Sequence, residues 1–140
     1  MTGRAVRPAA LDHWHRLVRE RDAAGIPALL ADDVVFHSPV VHTPQRGRAI
    51  VTAYLAAALQ VLGNDSFRYV RQIVDEREAA LEFMTAIDGI EVDGIDLIRW
   101  NDADQIVDFK VMIRPLKAIT LIHERMGRML AAARAADPRA

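Results

Sequence analysis

Four strand-like runs, residues 67–74, 79–87, 92–100 and 106–113, follow one another with only the short polar turns DERE, DGIE and NDADQ between them. Turns that short can only join neighbouring antiparallel strands, so the second half of the chain must build a meander sheet. Side-chain alternation then sorts each run onto two faces. In the last run Val107, Phe109, Val111 and Ile113 form one wholly apolar set, opposed by Asp108, Lys110, Met112 and Arg114. In the first, Phe67, Tyr69 and Ile73 oppose Arg68, Val70, Gln72 and Val74; in the second, Leu81, Phe83, Thr85 and Ile87 oppose Glu82, Met84 and Ala86. The run 92–100 is ambiguous, because Gly94, Asp96, Ile98 and Trp100 oppose Asp93, Ile95, Leu97 and Arg99. A carboxylate among apolar strand residues is costly unless it is hydrogen-bonded, protonated or facing a wet pocket. Which way Asp96 faces therefore decides how the whole sequence is read.

The first half is helical. Leu11, Trp14, Leu17 and Val18 recur at helical spacing from about Pro8 to Ala24, with Gly25 as the stop. Pro27 starts a short helix through Leu29 and Leu30, and a strand follows over 34–38. Pro39 and Pro44 frame a loop that cannot pair regularly. A further helix is expected over 48–62, stopped by Gly63 and Asn64. A last amphipathic helix, about 116–135, carries Ile119, Ile122, Met126 and Met129 in one stripe and is expected to cover the open end of the cone or the edge of a dimer, extending the cavity roof. Helices followed by an antiparallel sheet define an α+β fold, with the helices packed on one sheet face. The whole of 1–140 reads as one domain, with a core over about 9–115 and the C-terminal helix as an addition.

Composition narrows the function classes. A hydrophobic content of 51% with 26% charged residues is that of a globular chain, and a net charge of −1 disfavours nucleic acid or anionic membrane as partner. The C-terminal arginines are interrupted by Glu124 and Asp137 and read as a solvated helix face. With no cysteine, thiolate catalysis, disulfides and zinc–thiolate sites are excluded. No run approaches the ~18 apolar residues of a membrane span, and the first residues lack a signal-peptide core, so a cytoplasmic location is expected.

The succession of helix, short helix, Leu30-Ala31-Asp32-Asp33-Val34-Val35-Phe36-His37-Ser38-Pro39, then Gly47-Arg48 opening a helix, then Gly94-Ile95-Asp96-Leu97-Ile98-Arg99-Trp100, resembles the nuclear transport factor 2-like superfamily. That superfamily has a cone-shaped, cystatin-like fold and includes the ketosteroid isomerases and SnoaL-like polyketide cyclases. The resemblance runs from about Leu11 to Pro115. It implies that Asp96 matches the aspartic acid of the isomerases' oxyanion hole and points into the cone. It implies that Trp14 stands where those enzymes carry an oxyanion-hole tyrosine, and Ser38 where they carry the catalytic aspartate base. Tyr54, Phe83 and Ile113 match positions on the cavity wall. Serine has no useful basicity at neutral pH, and tryptophan donates only through its indole nitrogen. Two of three isomerase positions are thus changed, which argues against a true ketosteroid isomerase.

Asp96 in an apolar cone should have its pKa raised by desolvation. Held neutral it can polarise a ligand carbonyl, as in the general case of a carboxylic acid kept protonated in ketosteroid isomerase. Ionised, it can act as an acid/base or activate a water; otherwise it is a buried carboxyl satisfied by Trp14, Tyr54 or backbone. His37, beside Ser38, and His42 are the natural general-base candidates by residue type, but alternation puts His37 and Ser38 on opposite faces. His37 is carried as a candidate ligand contact with its orientation open. Neither histidine has a carboxylate at ligand spacing, so no metal and no cofactor is expected. Asp96 is then the candidate catalytic residue, with Trp14, Ser38, His37, Tyr54, Phe83 and Ile113 as candidate substrate contacts. The reading is a protein binding a small, mostly apolar, polycyclic or carbonyl-bearing ligand, with acid/base isomerase, cyclase or hydrolase chemistry at Asp96. The other reading is a non-catalytic ligand-binding or dimerisation module.

The outer sheet face mixes Val70, Val74, Met84, Ile95, Leu97 and Met112 with charged residues, a composition suited to an interface rather than to water. A homodimer through that face is expected, and the resemblance implies the same.

Overall fold

A computed structural model describes residues 8–136. Helix α1 (Ala9–Glu20) leads through a 3-10 turn (Ala23–Gly25) and α2 (Ile26–Leu29) into β1 (Leu30–His37). The short β2 (Gln45–Arg46) precedes α3 (Arg48–Leu62), and β3 (Arg68–Val74), β4 (Glu78–Ile87), β5 (Ile90–Trp100) and β6 (Ile106–Arg114) follow. The chain closes on α4 (Leu116–Ala136). The six strands form one curved sheet in the order β2-β1-β6-β5-β4-β3. The meander β3 to β6 is antiparallel as its turns require; β1 joins it as a parallel neighbour of β6, making the sheet mixed. A parallel pair needs a long connection, and everything from Ser38 to Gln105 supplies it. No helix among the described residues is long and apolar enough to cross a membrane.

The core lies between the concave sheet face and α1 and α3. Leu11, Trp14 and Leu17 bury one stripe of α1, and Val51 and Leu55 do the same for α3. Helix α1 ends earlier than its sequence suggests. Arg21 takes a left-handed conformation (φ 53°), and the N–H groups of Arg21 and Asp22 return to the carbonyls of Val18 and Leu17. That closure usually falls to glycine, so Gly25 looked like the stop; it instead ends the 3-10 turn. At the β4–β5 hairpin both Asp88 (φ 51°) and Gly89 (φ 78°) are left-handed, the geometry that lets a two-residue turn follow strand twist. The same Asp88 pairs with Arg125 and ties α4 to that end of the sheet.

Two bulges change the expected face assignment. On β3 the register slips between Tyr69 and Arg71, so Tyr69 lies opposite inward-facing Phe83 while Gln72, not Ile73, lies opposite inward-facing Leu81. Ile73 is therefore on the outer face, 64% exposed, and Val74 comes to the inner side opposite Ala79. One extra residue inverts the parity of everything after it, which alternation counted from Phe67 cannot reveal. A second slip, where Arg99 pairs with Asp108 but Trp100 with Ile106, gives the fully buried position to Ile106 in place of Val107. Beyond it, Phe109 and Val111 are buried and Ile113 partly so, as the pattern predicts.

Gly94 sits opposite Phe83 across the β4–β5 ladder, where a Cβ would lie 2.3 Å from the ring's Cζ. Phe83 is fully buried, and its ring stacks on Phe67 at 5.2 Å, so any retreat from an added methyl must disturb that stacking. Gly94→Ala should destabilise the fold by about 1–3 kcal/mol through overpacking. Gly127→Ala, in the α4 interior with nothing within 4 Å of the added methyl, should stabilise by about 0.5–1 kcal/mol. Urea unfolding of both variants checks the pair; equal midpoints would contradict the packing described.

Candidate functional site

Asp96 resolves the ambiguous strand. Gly94, Asp96, Ile98 and Trp100 are all buried on the inner face of β5, with Asp96 only 6% exposed. Its ladder neighbours are Leu81 and Val111, so no charge balances it from the adjacent strands. What meets it is Tyr69 from the edge strand, whose hydroxyl donates to Asp96 Oδ2 at 2.7 Å. Tyr69 Oη in turn accepts from Trp14 Nε1 on α1 at 3.0 Å. Three elements that are distant in sequence thus meet in one directional chain of hydrogen bonds, Trp14 to Tyr69 to Asp96.

The electrostatics follow from burial. Desolvation raises the Asp96 pKa from the ordinary 3.8 to about 7, with the Tyr69 bond pulling the other way. Burial likewise pushes Tyr69 well above its usual value; the Asp96 charge and the bond to Asp96 raise it further, and the bond from Trp14 lowers it. Tyr69 therefore keeps its proton, and that proton is committed to Asp96. Among the described residues no protein group bonds Asp96 Oδ1, so that oxygen is left to the space in front of it.

That space is a cavity of about 230 Å³, walled almost entirely by apolar side chains. Phe36, Phe109 and Tyr54 form one aromatic side: Phe36 packs on Tyr54 at 5.5 Å, and the Trp14 ring meets Phe109 edge-on at 4.9 Å. Phe67 and Phe83 form another. Ile122, Met126 and Leu130 of α4, spaced four apart, close it from above. The helix uses Ala118 and Ile122 as its buried anchors; Ile119 and Met129 of the expected stripe are only partly buried and stand outside the lining.

Of the residues singled out by sequence, Asp96, Trp14, Ser38, Tyr54, Phe83 and Ile113 all line this cavity. Trp14 acts on Asp96 only through Tyr69, and Tyr54 makes no bond to it. Ser38 Oγ accepts from the backbone N–H groups of Val40 at 3.0 Å and Val41 at 3.3 Å, which folds the start of the proline loop. His37 does not reach the cavity: its Nε2 bonds Asp108 Oδ1 at 2.9 Å on the other side of the sheet, as strand alternation beside an inward Ser38 requires. Sequence reasoning missed Tyr69 as the partner of Asp96. Its signal was present, an inward tyrosine on the edge strand, but nothing local linked positions 69 and 96. It also missed His123, which reaches the cavity rim from α4. Among the described residues no three His, Asp or Glu side chains converge as metal ligands.

The SnoaL-like domain family matches residues 11–109, and the chain belongs to that family. Among solved structures, a steroid delta-isomerase from Pseudomonas aeruginosa is 43% identical over 91% of this chain and 93% of its own, with a TM-score of 0.86. A protein with a cystatin-like fold from Silicibacter pomeroyi DSS-3 is 32% identical over 94% of this chain and 89% of its own, with a TM-score of 0.81. An NTF2-like protein from Mesorhizobium loti, 20% identical over 76% of this chain and 88% of its own with a TM-score of 0.66, shares the fold. No curated protein matches the chain.

The raised carboxyl makes stability depend on pH in a definite direction. Between pH 3.8 and about 7 the folded state holds a proton on Asp96 that the unfolded chain has released, so unfolding becomes easier as pH rises. The contribution is complete below the unfolded pKa and lost as pH passes through about 7. Its size is on the order of 4 kcal/mol for a carboxyl moved from 3.8 to about 7. Urea unfolding at pH 5 and pH 8 should show wild type losing stability over that interval, and Asp96→Asn, which cannot ionise, should flatten the slope. Parallel curves for the two proteins would remove Asp96 as the titrating group.

Proposed function

We propose that this SnoaL-like domain binds a small, mostly apolar ligand, polycyclic or otherwise carbonyl-bearing, with its oxygen directed at Asp96. The observation that carries the reading is the division of labour at that carboxyl. One oxygen is held by Tyr69, and the other is left to a cavity that is otherwise greasy. A carboxyl with a pKa of about 7 is part protonated at neutral pH and can give a hydrogen bond or a proton to a carbonyl without a large thermodynamic cost. The likeness to a steroid delta-isomerase, at 43% identity over nearly the whole chain, supports a ligand of that general shape. Acid-assisted isomerase, cyclase or hydrolase chemistry at Asp96 needs no cofactor.

Ser38 favours polarising or binding the ligand over abstracting a proton from it. Its hydroxyl already accepts two backbone N–H groups, and Asp96 is the only carboxylate that lines the cavity among the described residues. A non-catalytic binding module is the second reading on that ground.

Thermal-shift titration with steroid and polyketide-fragment ketones tests the site. Ketones that stabilise wild type should bind Asp96→Asn about tenfold more weakly, while the matching deoxy hydrocarbons bind both proteins alike. Filling the cavity with Ala58→Phe should abolish both. Ketones that bind the asparagine variant as well as wild type would make Asp96 a purely structural residue.

The outer sheet face supports a homodimer as well. Val70 (47% exposed), Ile73 and Met112 (47%) form exposed apolar ground there, and Arg71–Glu82 and Arg114–Asp93 pairs are set among them. Light scattering should return about twice the 15.6 kDa chain mass, and Met112→Glu should yield monomer or aggregate. A monomeric wild type would refute it.

A further inference from the structure

A second depression lies against the cavity and has the opposite character. It is lined by His15, Arg19 and Arg21 from the end of α1, by Arg68 at the start of β3, and by Asn64 and Asp65 between α3 and β3. Its floor is shared: Val18, Gly63, Phe67 and Tyr69 line both this depression and the apolar cavity. Three guanidinium groups face one carboxylate in it, on a chain whose net charge is −1. Arg21 pairs with Asp65 at 3.1 Å, but Asp65 is fully exposed, and a solvated pair of this kind holds its arginine weakly. Arg68 spends one N–H on the Ser66 carbonyl at 3.2 Å. Arg19 has no hydrogen bond or ion pair among the described residues. His15 bonds Gln72 and sets its ring edge-on to Tyr69, which fixes the inner wall.

We propose that this depression receives the anionic group of an amphiphilic ligand, a carboxylate, sulfate or sulfonate attached to the apolar body that fills the cavity. The inference rests on the cavity reading above and narrows it to acidic lipophiles. Val18, Gly63, Phe67 and Tyr69 border both spaces, so the depression adjoins the cavity along one shared edge, over which a linker from the apolar body would have to pass. The guanidinium forks of Arg19 and Arg68 then supply paired donors suited to a planar or tetrahedral oxyanion. A positive rim on a nearly neutral protein also favours anionic over neutral ligands during approach.

Two fluorescent probes of one skeleton separate the contributions. Anilinonaphthalene sulfonate carries the anion, and N-phenylnaphthylamine lacks it. The anionic probe should bind wild type at least tenfold more tightly than the neutral one. Arg19→Gln combined with Arg68→Gln should remove most of that preference and leave the neutral probe unchanged. High salt should weaken the anionic probe alone. Ala58→Phe, which fills the cavity, should displace both probes. Equal loss of both probes in the arginine variant, or an unchanged preference for the sulfonate, would overturn the anion site while leaving the cavity reading intact. Probes that ignore Ala58→Phe, or that fail to bind at all, would overturn the cavity reading and this inference with it.

Discussion

The hydrogen bond from Tyr69 to Asp96 is the interaction around which the inner face is organised. A carboxyl at the centre of a concave, apolar sheet would be a liability without it, because neither ladder neighbour offers a polar group. Meeting that need draws the edge strand inward: the bulge after Tyr69 keeps its hydroxyl over Asp96 while releasing the rest of β3 to a different parity. Trp14 then completes the chain from the helix layer, so α1, the sheet edge and the sheet centre are locked in one relative position. Packing alone would tolerate small slides among these layers, whereas directional bonds do not.

That lock also explains why the cavity persists. Aromatic side chains of the sheet and the residue before its edge strand, Phe36 and Phe109 on one side and Phe67 and Phe83 on the other, meet tilted or stacked at centroid distances near their preferred range. They are held too far apart to collapse onto Asp96. Helix α4 closes the remaining side with Ile122, Met126 and Leu130, and methionine's flexibility suits a wall that must accept different shapes. The outcome is a mostly apolar chamber with a single carboxyl, Asp96, on its wall and a basic depression adjoining it at Phe67 and Tyr69.

Much of this was legible in the order of residues. The meander turns, the helix over 48–62 and the four strand runs follow from local chemistry, and the structure keeps them within a residue or two. Asp96 was picked out by its cost in an apolar run, and the resemblance to isomerases pointed it inward. Ser38, Tyr54, Phe83 and Ile113 were located by that resemblance, and the cavity gathers all of them. What the pattern misjudged came from single-residue events: the left-handed Arg21 that shortens α1, and the two bulges that exchange Ile73 for Gln72 and Val107 for Ile106 on the inner side.

The sequence by itself determined the antiparallel meander from β3 to β6, which helix faces are apolar, and that one carboxyl sits in an apolar strand run, since these depend on neighbours a few residues apart. Only the tertiary structure decided who answers that carboxyl, that His37 turns to Asp108, and that arginines from the end of α1 and the start of β3 share one depression. Those outcomes join residues dozens of positions apart, and they hinge on strand parity, which one extra residue reverses. Alternation fixes a side chain's face only relative to its neighbours. The absolute face, and therefore the site, is chosen when the sheet curls and the layers close on it.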